Sequence, residues 1–423
     1  MNSIKRLLCA LVGAAMCTSF GACALEGDGF KNTVAGDDAV PVAAQAVQLC
    51  VFTLFEEKEY RALVDEFVQQ NPGVMMEDRS ETYTESTAKD LAKMLSGDNP
   101  PDVVFFHTGE AAASFIADGL FVPIEEIRKE YPDYAKDILP VAVKSAAGGG
   151  TAYAVPVRGF YEGLFINTDL IEQYNLTPPD SWDALLEAVD VFSEAGILPI
   201  AASLTQTPHY LIDHLILTEG GTADFAKVPA SAEDVPETWY GIEERLRTLY
   251  EHGAFGDETD TLSDAKATEL FLNKQAAMRL DGSWLAAYLE DEGKSADVAV
   301  IAFPGTPNGE LVGGFTSGFY ITRSAWDEPL KREAAVSFVN AMTKYSSVHR
   351  LCSPHDLPAV ALKVQDNSAL LKSAYELCSG TSSLILPLDA RMPHDVWTTI
   401  TQRALSIAQA KMQARDAFTA AFS

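Results

Sequence analysis

Pro100-Pro101-Asp102-Val103-Val104-Phe105-Phe106 is the stretch whose reading decides the fold. Two prolines introduce a short, uninterrupted apolar run, the pattern of a strand buried on both faces of a parallel sheet. Working outward, residues 47–55 are β-rich, and Tyr60, Leu63, Val64 and Phe67 follow at helical spacing before Asn71-Pro72-Gly73 stops the helix. Val74–Asp78 reads as another strand and Thr87–Leu95 as a helix; beyond Phe106, residues 111–116 read as a helix that Gly119 ends. This βαβα rhythm predicts an α/β fold built on an open, mostly parallel sheet flanked by helices. Ligands of such sheets sit beyond the carboxyl ends of the strands, which directs attention to the loops after Phe55 and Phe106.

The N-terminus carries an address. Lys5 and Arg6 precede a short apolar run at 7–20, and Gly21-Ala22 place small residues in front of Cys23. The run is a signal-peptide core, because a membrane span needs about 20 apolar residues. Small residues before a cysteine resemble the bacterial lipobox, in which the cysteine is diacylated and becomes the mature N-terminus. Ordinary secretory cleavage near Ala22 or Ala24 is the alternative, and both predict export. Residues 1–23 are thus expected to be a lipoprotein signal peptide, with Cys23 holding the protein to the outer face of the bacterial cell membrane. Residues 24–46, rich in Ala, Gly, Val and Asp without periodicity, read as a flexible tether.

A body of this length exceeds one hydrophobic core, so two lobes are expected. The net charge of −29 becomes −31 when Lys5 and Arg6 leave, since residues 1–22 contain no acid. That surplus repels nucleic acid and anionic lipid headgroups, leaving the lipid anchor as the expected membrane contact. Of the six cysteines, Cys9 and Cys17 go with the signal and Cys23 is the anchor. Cys352 and Cys378 are candidates for a disulfide in an oxidising exterior, and Cys50 reads as a buried thiol. No CxxC, HExxH or GxSxG occurs, and Gly293-Lys294-Ser295 lacks the upstream glycine of a phosphate loop, so neither cofactor nor metal is expected.

Ordered landmarks then carry a resemblance. Pro101-Asp102-Val103-Val104 with Gly119-Leu120-Phe121-Val122-Pro123-Ile124 resembles the first-lobe signature of solute-binding proteins of bacterial ABC importers, the carbohydrate-binding, maltodextrin type among them. Ala154-Val155-Pro156 with Phe165-Ile166-Asn167-Thr168-Asp169-Leu170 is similar to that family's crossing into the second lobe. Pro179-Asp180-Ser181-Trp182-Asp183-Ala184-Leu185 resembles a helix start of its sugar-binding members, and Ser181 is independently a good N-cap. Ala276-Ala277-Met278, Asp281-Gly282-Ser283-Trp284, Gly313-Gly314 and Thr316-Ser317-Gly318 complete the set.

The resemblance implies a two-lobed periplasmic-binding-protein fold with a multi-segment hinge. Lobe one is expected at 47–155 and 297–345, and lobe two at 156–296 and 346–423, with crossings near Val155, Val300 and Tyr345. It implies a monomer that traps a mono- or oligosaccharide by hinge closure and delivers it to the permease subunits of an ABC importer. A secreted glycosidase needs only two suitably spaced carboxylates and stays open as an alternative, as does a surface receptor or adhesin.

Sugar sites pair aromatic faces, for the C–H surfaces, with carboxylates, amides and guanidinium groups for the hydroxyls. Trp284, preceded by Asp281, resembles the family's stacking tryptophan; its alternative is a core anchor. Arg158 and Tyr161 follow the lobe crossing, Glu57 lies after the first strand, and Phe106 and Glu110 lie at the ligand end of the apolar run. Gly314 is expected to bring backbone amides close to a ligand, and Arg391, with Trp397, to add cleft contacts from the C-terminal segment.

Overall fold

The computed structural model describes residues 46–423 apart from 56, 85, 308 and 364–367; the predicted signal peptide, Cys23 and nearly all of the tether lie outside the described residues. In chain order the strands are β1 (Val47–Phe52), β2 (Val74–Asp78), β3 (Val103–His107), β4 (Val155–Pro156), β5 (Arg158–Asn167) and β6 (Leu198–Ile200). They continue as β7 (Ala276–Gly282), β8 (Val298–Ile301), β9 (Glu310–Gly314), β10 (Ser317–Ile321), β11 (Leu357–Pro358) and β12 (Ser383–Ile385).

The deciding stretch lies where its pattern demands. β3 sits inside a five-stranded sheet of order β2-β1-β3-β10-β4, parallel through β2, β1 and β3 and antiparallel at β10. The crossover helices Lys58–Gln70 and Thr87–Leu95 bury Tyr60, Leu63 and Phe67 and Leu91 and Leu95, the apolar faces that spacing predicts. Asp102 heads β3 as a buried carboxylate. It accepts the Cys50 N–H at 2.8 Å and pairs with Lys331 at 3.1 Å, which satisfies the charge and pins β3 to its neighbours.

The second sheet, of order β12-β9-β5-β7-β6, is organised around β5. Successive parts of β5 take β11, β9 and β8 as antiparallel partners, and β7 runs antiparallel along Glu162–Ile166. Parallel pairing is confined to β6 with β7 and β9 with β12. The two-sheet α/β architecture is as expected, but this sheet is mixed rather than mostly parallel, because several later segments return to one long strand. The flanking helix Trp182–Glu194 starts as predicted: Ser181 Oγ accepts the Ala184 N–H at 3.3 Å, and Leu185, Val189 and Phe192 face the core.

The crossings fall partly elsewhere than expected. The chain does pass between sheets at Val155, from β4 into β5. It does not return at Asp297 or Val300, since β8 and β9 still pair with β5; it returns through Phe315-Thr316, between β9 and β10. Past Tyr345, Val348, Leu351, Leu357 and Val360 remain in the core of the first sheet, and the helix Ala369–Ser379 then packs against β8. An apolar strand reads alike for either sheet, so the local pattern of β8 could not name its partner.

The expected disulfide is absent. Cys352 and Cys378 are free thiols, and the Cys352 S–H lies 3.7 Å from the Val157 carbonyl, which accepts from it. Cys50 is buried, as predicted.

Candidate functional site

The carboxyl end of β7 builds the first half of the site. β7 is buried throughout its length, and Gly282 ends it just before the helix Trp284–Asp291. Trp284 is 47% exposed, an unusual state for so large an apolar ring at a strand end. Its Nε1–H donates to Asp281 Oδ1 at 2.7 Å, and the same oxygen accepts the Gly282 N–H at 2.7 Å. The indole therefore lies back over Gly282, where a Cβ would overlap its ring carbons. Phe160 and Tyr210 flank it at ring distances of 5.7 and 6.1 Å, and His209 lies 4.1 Å from Tyr210. An aromatic surface of this kind, with its one N–H already engaged, presents a π face.

Behind this surface the polar groups are locked. Arg279 donates through Nε to Asp281 Oδ2 and through Nη2 to Asp264 Oδ1, both at 2.7 Å, and through Nη1 to the Ala201 carbonyl at 3.2 Å. Thr207 donates to Asp264 at 2.8 Å. Burial works to raise the Asp264 pKa, but the bonded guanidinium outweighs it and holds the carboxyl below its ordinary value. Deeper still, His214 donates from Nδ1 to the Tyr210 carbonyl at 2.9 Å, with Glu162 Oε2 3.8 Å from the same nitrogen. Burial pushes His214 down to about 4. Burial, then Asp213, Asp389 and Asp281, push Glu162 well above the ordinary carboxylate range, so the two face each other uncharged.

The first sheet presents its own polar edge at the carboxyl ends of β1, β2 and β3. Thr53 and Ser80 hydroxyls meet at 2.6 Å, and the 54%-exposed Tyr83 stands edge-on to His107 at 4.9 Å. Burial lowers the His107 pKa, keeping the ring neutral beside Tyr83. Glu110, the first residue of the helix Glu110–Ala117, is exposed here.

The sequence-predicted residues divide. Trp284 and Asp281 are directly bonded, and Arg158 and Glu57 form a 2.7 Å ion pair with the guanidinium 5.0 Å above Phe55. Tyr161 and Phe106 are not at any surface. Phe106 is buried with Leu91, Phe115 and Phe121 because both faces of β3 are covered. Tyr161 is 2% exposed and packs with Phe165 and Leu285; strand alternation sends it away from the face that carries Phe160. Gly314 is buried too: with φ +153° it lets β9 pass Ser145, whose Oγ would lie 2.5 Å from a Cβ. Arg391 donates to the Leu386 and Phe225 carbonyls, each at 2.8 Å, and Trp397 lies in the core.

Sequence reasoning missed Phe160, Tyr210, His209 and Tyr83. Phe160 was within reach as the odd-face neighbour of Tyr161; the other three lie on segments without a motif. Among the described residues no cluster of three or more His, Cys, Asp or Glu suits a metal, and no helix is long and apolar enough to cross a membrane.

The comparisons agree with this architecture. The family model described as bacterial extracellular solute-binding protein matches residues 56–346. The melibiose/raffinose/stachyose-binding protein MelE of Bacillus subtilis (strain 168) is 19% identical over 220 residues, 50% of this chain and 51% of its own. The chain thus spans about half the length of the curated relative it matches. A probable secreted solute-binding lipoprotein from Streptomyces coelicolor superposes with a TM-score of 0.77 at 21% identity, covering 89% of this chain and 98% of the other. A family 1 extracellular solute-binding protein from Bifidobacterium longum subsp. infantis does so at 0.72 and 18%, with the same coverage. At these identities the likeness is one of fold, a two-lobed one.

Proposed function

The chain belongs to the bacterial extracellular solute-binding protein family, and from that premise we propose that it captures a carbohydrate between its lobes and delivers it to an ABC importer. The observation that carries the carbohydrate reading is the half-exposed Trp284 ring, fixed by Asp281 and flanked by Phe160 and Tyr210. An oriented aromatic face stacks on the C–H surface of a sugar ring, and Tyr83, Glu110 and Ser80 supply hydroxyl and carboxylate groups for the rim. The ligand is a neutral sugar in this reading. Arg279 is bonded to two carboxylates, Arg158 to Glu57, and Arg391 to two carbonyls, so all three arginines are already committed. The glycosidase alternative gains nothing from the Trp284 side of the site, where Asp281 and Asp264 are spent on Arg279 and Trp284.

The protein is an exported one by family. The further reading is that Cys23 is lipidated and holds a monomeric receptor at the outer face of the membrane, with residues 24–46 as its tether. Membrane retention of a Cys23→Ala variant in a fractionation blot would remove the anchor.

Thermal shift across neutral oligosaccharides, melibiose, raffinose and stachyose first, tests the function. A ligand that binds only the folded state must raise the melting temperature, by RT ln(1 + [L]/Kd) in free energy. The expected result is a rise with a neutral sugar, no rise with galacturonic acid, and an intact sugar after long incubation. Failure of every sugar to shift melting would sink the carbohydrate reading.

A further inference from the structure

Tyr161, turned away from the aromatic surface by strand alternation, lines a cavity behind β5. Its walls include Cys352, His355, Leu371 and Tyr375, and its volume is about 130 Å³. Two polar atoms there have no hydrogen-bond partner within the protein: the Tyr161 hydroxyl and His355 Nδ1. Both side chains are more than nine-tenths buried, Tyr161 at 2% and His355 at 7% exposure. Burying one unmade hydrogen bond is costly, and two facing one cavity point to a partner that enters it.

The cavity adjoins a second, apolar one of about 280 Å³, with which it shares Leu357, Pro358, Leu362, Tyr375 and Cys378 as walls. Leu139, Val141, Phe315 and Leu384 line its outer part. Phe315, Leu357 and Val360 belong to the core of the first sheet, whereas Tyr161, Leu311 and Ala374 belong to a core of the second. The space is therefore a seam between the two lobes and not a packing fault inside one. An apolar cavity of about 150 Å³ accommodates benzene, so the outer part has room for one substituted ring. The polar end selects for charge. Burial lowers the His355 pKa and raises that of Tyr161, so both stand neutral; Asp356 accepts the Ser353 N–H at 2.7 Å, and Lys363, also on the wall, has its ammonium 5.5 Å from the Tyr345 ring.

We propose that this seam is a second ligand site, distinct from the sugar cleft, for a small neutral amphiphile: a single apolar ring carrying one hydroxyl, which Tyr161 and His355 hydrogen-bond while the ring lies against Leu357, Leu384 and Phe315. The proposal does not depend on which sugar the cleft takes.

The test is a calorimetric titration of the intact protein with p-cresol and with toluene, which share the ring and differ by the hydroxyl. p-Cresol is expected to saturate one site and to bind about three- to tenfold more tightly than toluene, the range of one neutral hydrogen bond. In Tyr161→Phe that preference is reduced, while melting is unchanged or higher, because the hydroxyl removed has no partner within the protein. Trp284→Ala leaves p-cresol binding as it was. His355→Leu provides the same comparison should Tyr161→Phe not fold. Absence of saturable p-cresol binding, an undiminished preference in both variants, or loss of binding in Trp284→Ala would overturn the proposal.

Discussion

The indole of Trp284 rests on the backbone of Gly282, two residues before it, and no other residue type at 282 leaves it that place. The glycine and the tryptophan form one unit, with Asp281 as its clasp. Gly282→Ala is expected to swing the ring off its bed, break the bond to Asp281 and weaken sugar binding. In a Trp284→Ala background the same change should cost nothing more, since the clash has gone. A double-mutant cycle by calorimetry measures this; additive losses would show that Gly282 acts otherwise.

Trp284→Ala itself separates binding from folding. Aromatic hot-spot residues contribute about 2 kcal/mol or more on truncation, roughly a thirtyfold loss of affinity. A ring that is 47% exposed gives the apo fold little, so melting should hardly move. A large melting loss with retained affinity would assign the ring to the core.

Arg279 behaves oppositely. Its side chain is 3% exposed and compensates Asp281, whose side chain is 6% exposed. Arg279→Met leaves that carboxylate buried without its partner, a change that costs about 3 to 5 kcal/mol in comparable pairs. Denaturant unfolding should register the loss even without sugar, and a stability change below about 1 kcal/mol would deny the pair its structural role.

Glu162→Gln tests the buried uncharged pair through pH. Burial raises the Glu162 pKa in the folded protein, so its contribution is complete below the ordinary carboxylate value of 4.5 and is lost as pH rises through the folded value. Glutamine is neutral at every pH. The variant should melt above the wild type at pH 8 and converge with it near pH 4. His214 works in the other sense: its folded pKa of about 4 means that stability is lost as pH falls below 6.5. A pH-independent gap between Glu162→Gln and wild type would mean that Glu162 has the same pKa folded and unfolded.

Closure is a change of shape and can be read as one. A ligand shifts an open–closed equilibrium only by its differential affinity, and contacts to both lobes supply that difference. Small-angle scattering should give a smaller radius of gyration with saturating sugar, and an unchanged profile would argue against trapping.

Much of this fold was legible in the chain because its signals are local. The apolar run at 103–106, the Ser181 cap and the helical spacing of Tyr60, Leu63 and Phe67 each specify an element without reference to the rest. Which sheet β8 joins is not local, and neither is the face to which a strand residue turns. Alternation requires Phe160 and Tyr161 to point oppositely, but only the register of β5, with Phe160 opposite Gly314 and Glu162 opposite Gly282, sets Phe160 beside Trp284. Trp284 and Asp281 could be found by resemblance. Tyr83 and His209 could not, since their roles come from what the fold brings near them.

The late position of β10 governs the order in which the molecule can be completed. The first sheet needs Ser317–Ile321 between β3 and β4, so a polypeptide threading outward amino end first holds that sheet open until about three quarters of its length has emerged. The second sheet waits longer, β5 for β11 and β9 for β12. Neither lobe can therefore be cut out as a self-sufficient fragment. A chain built this way completes its sheets only once its late strands are available, and such long-range pairing makes for slow folding.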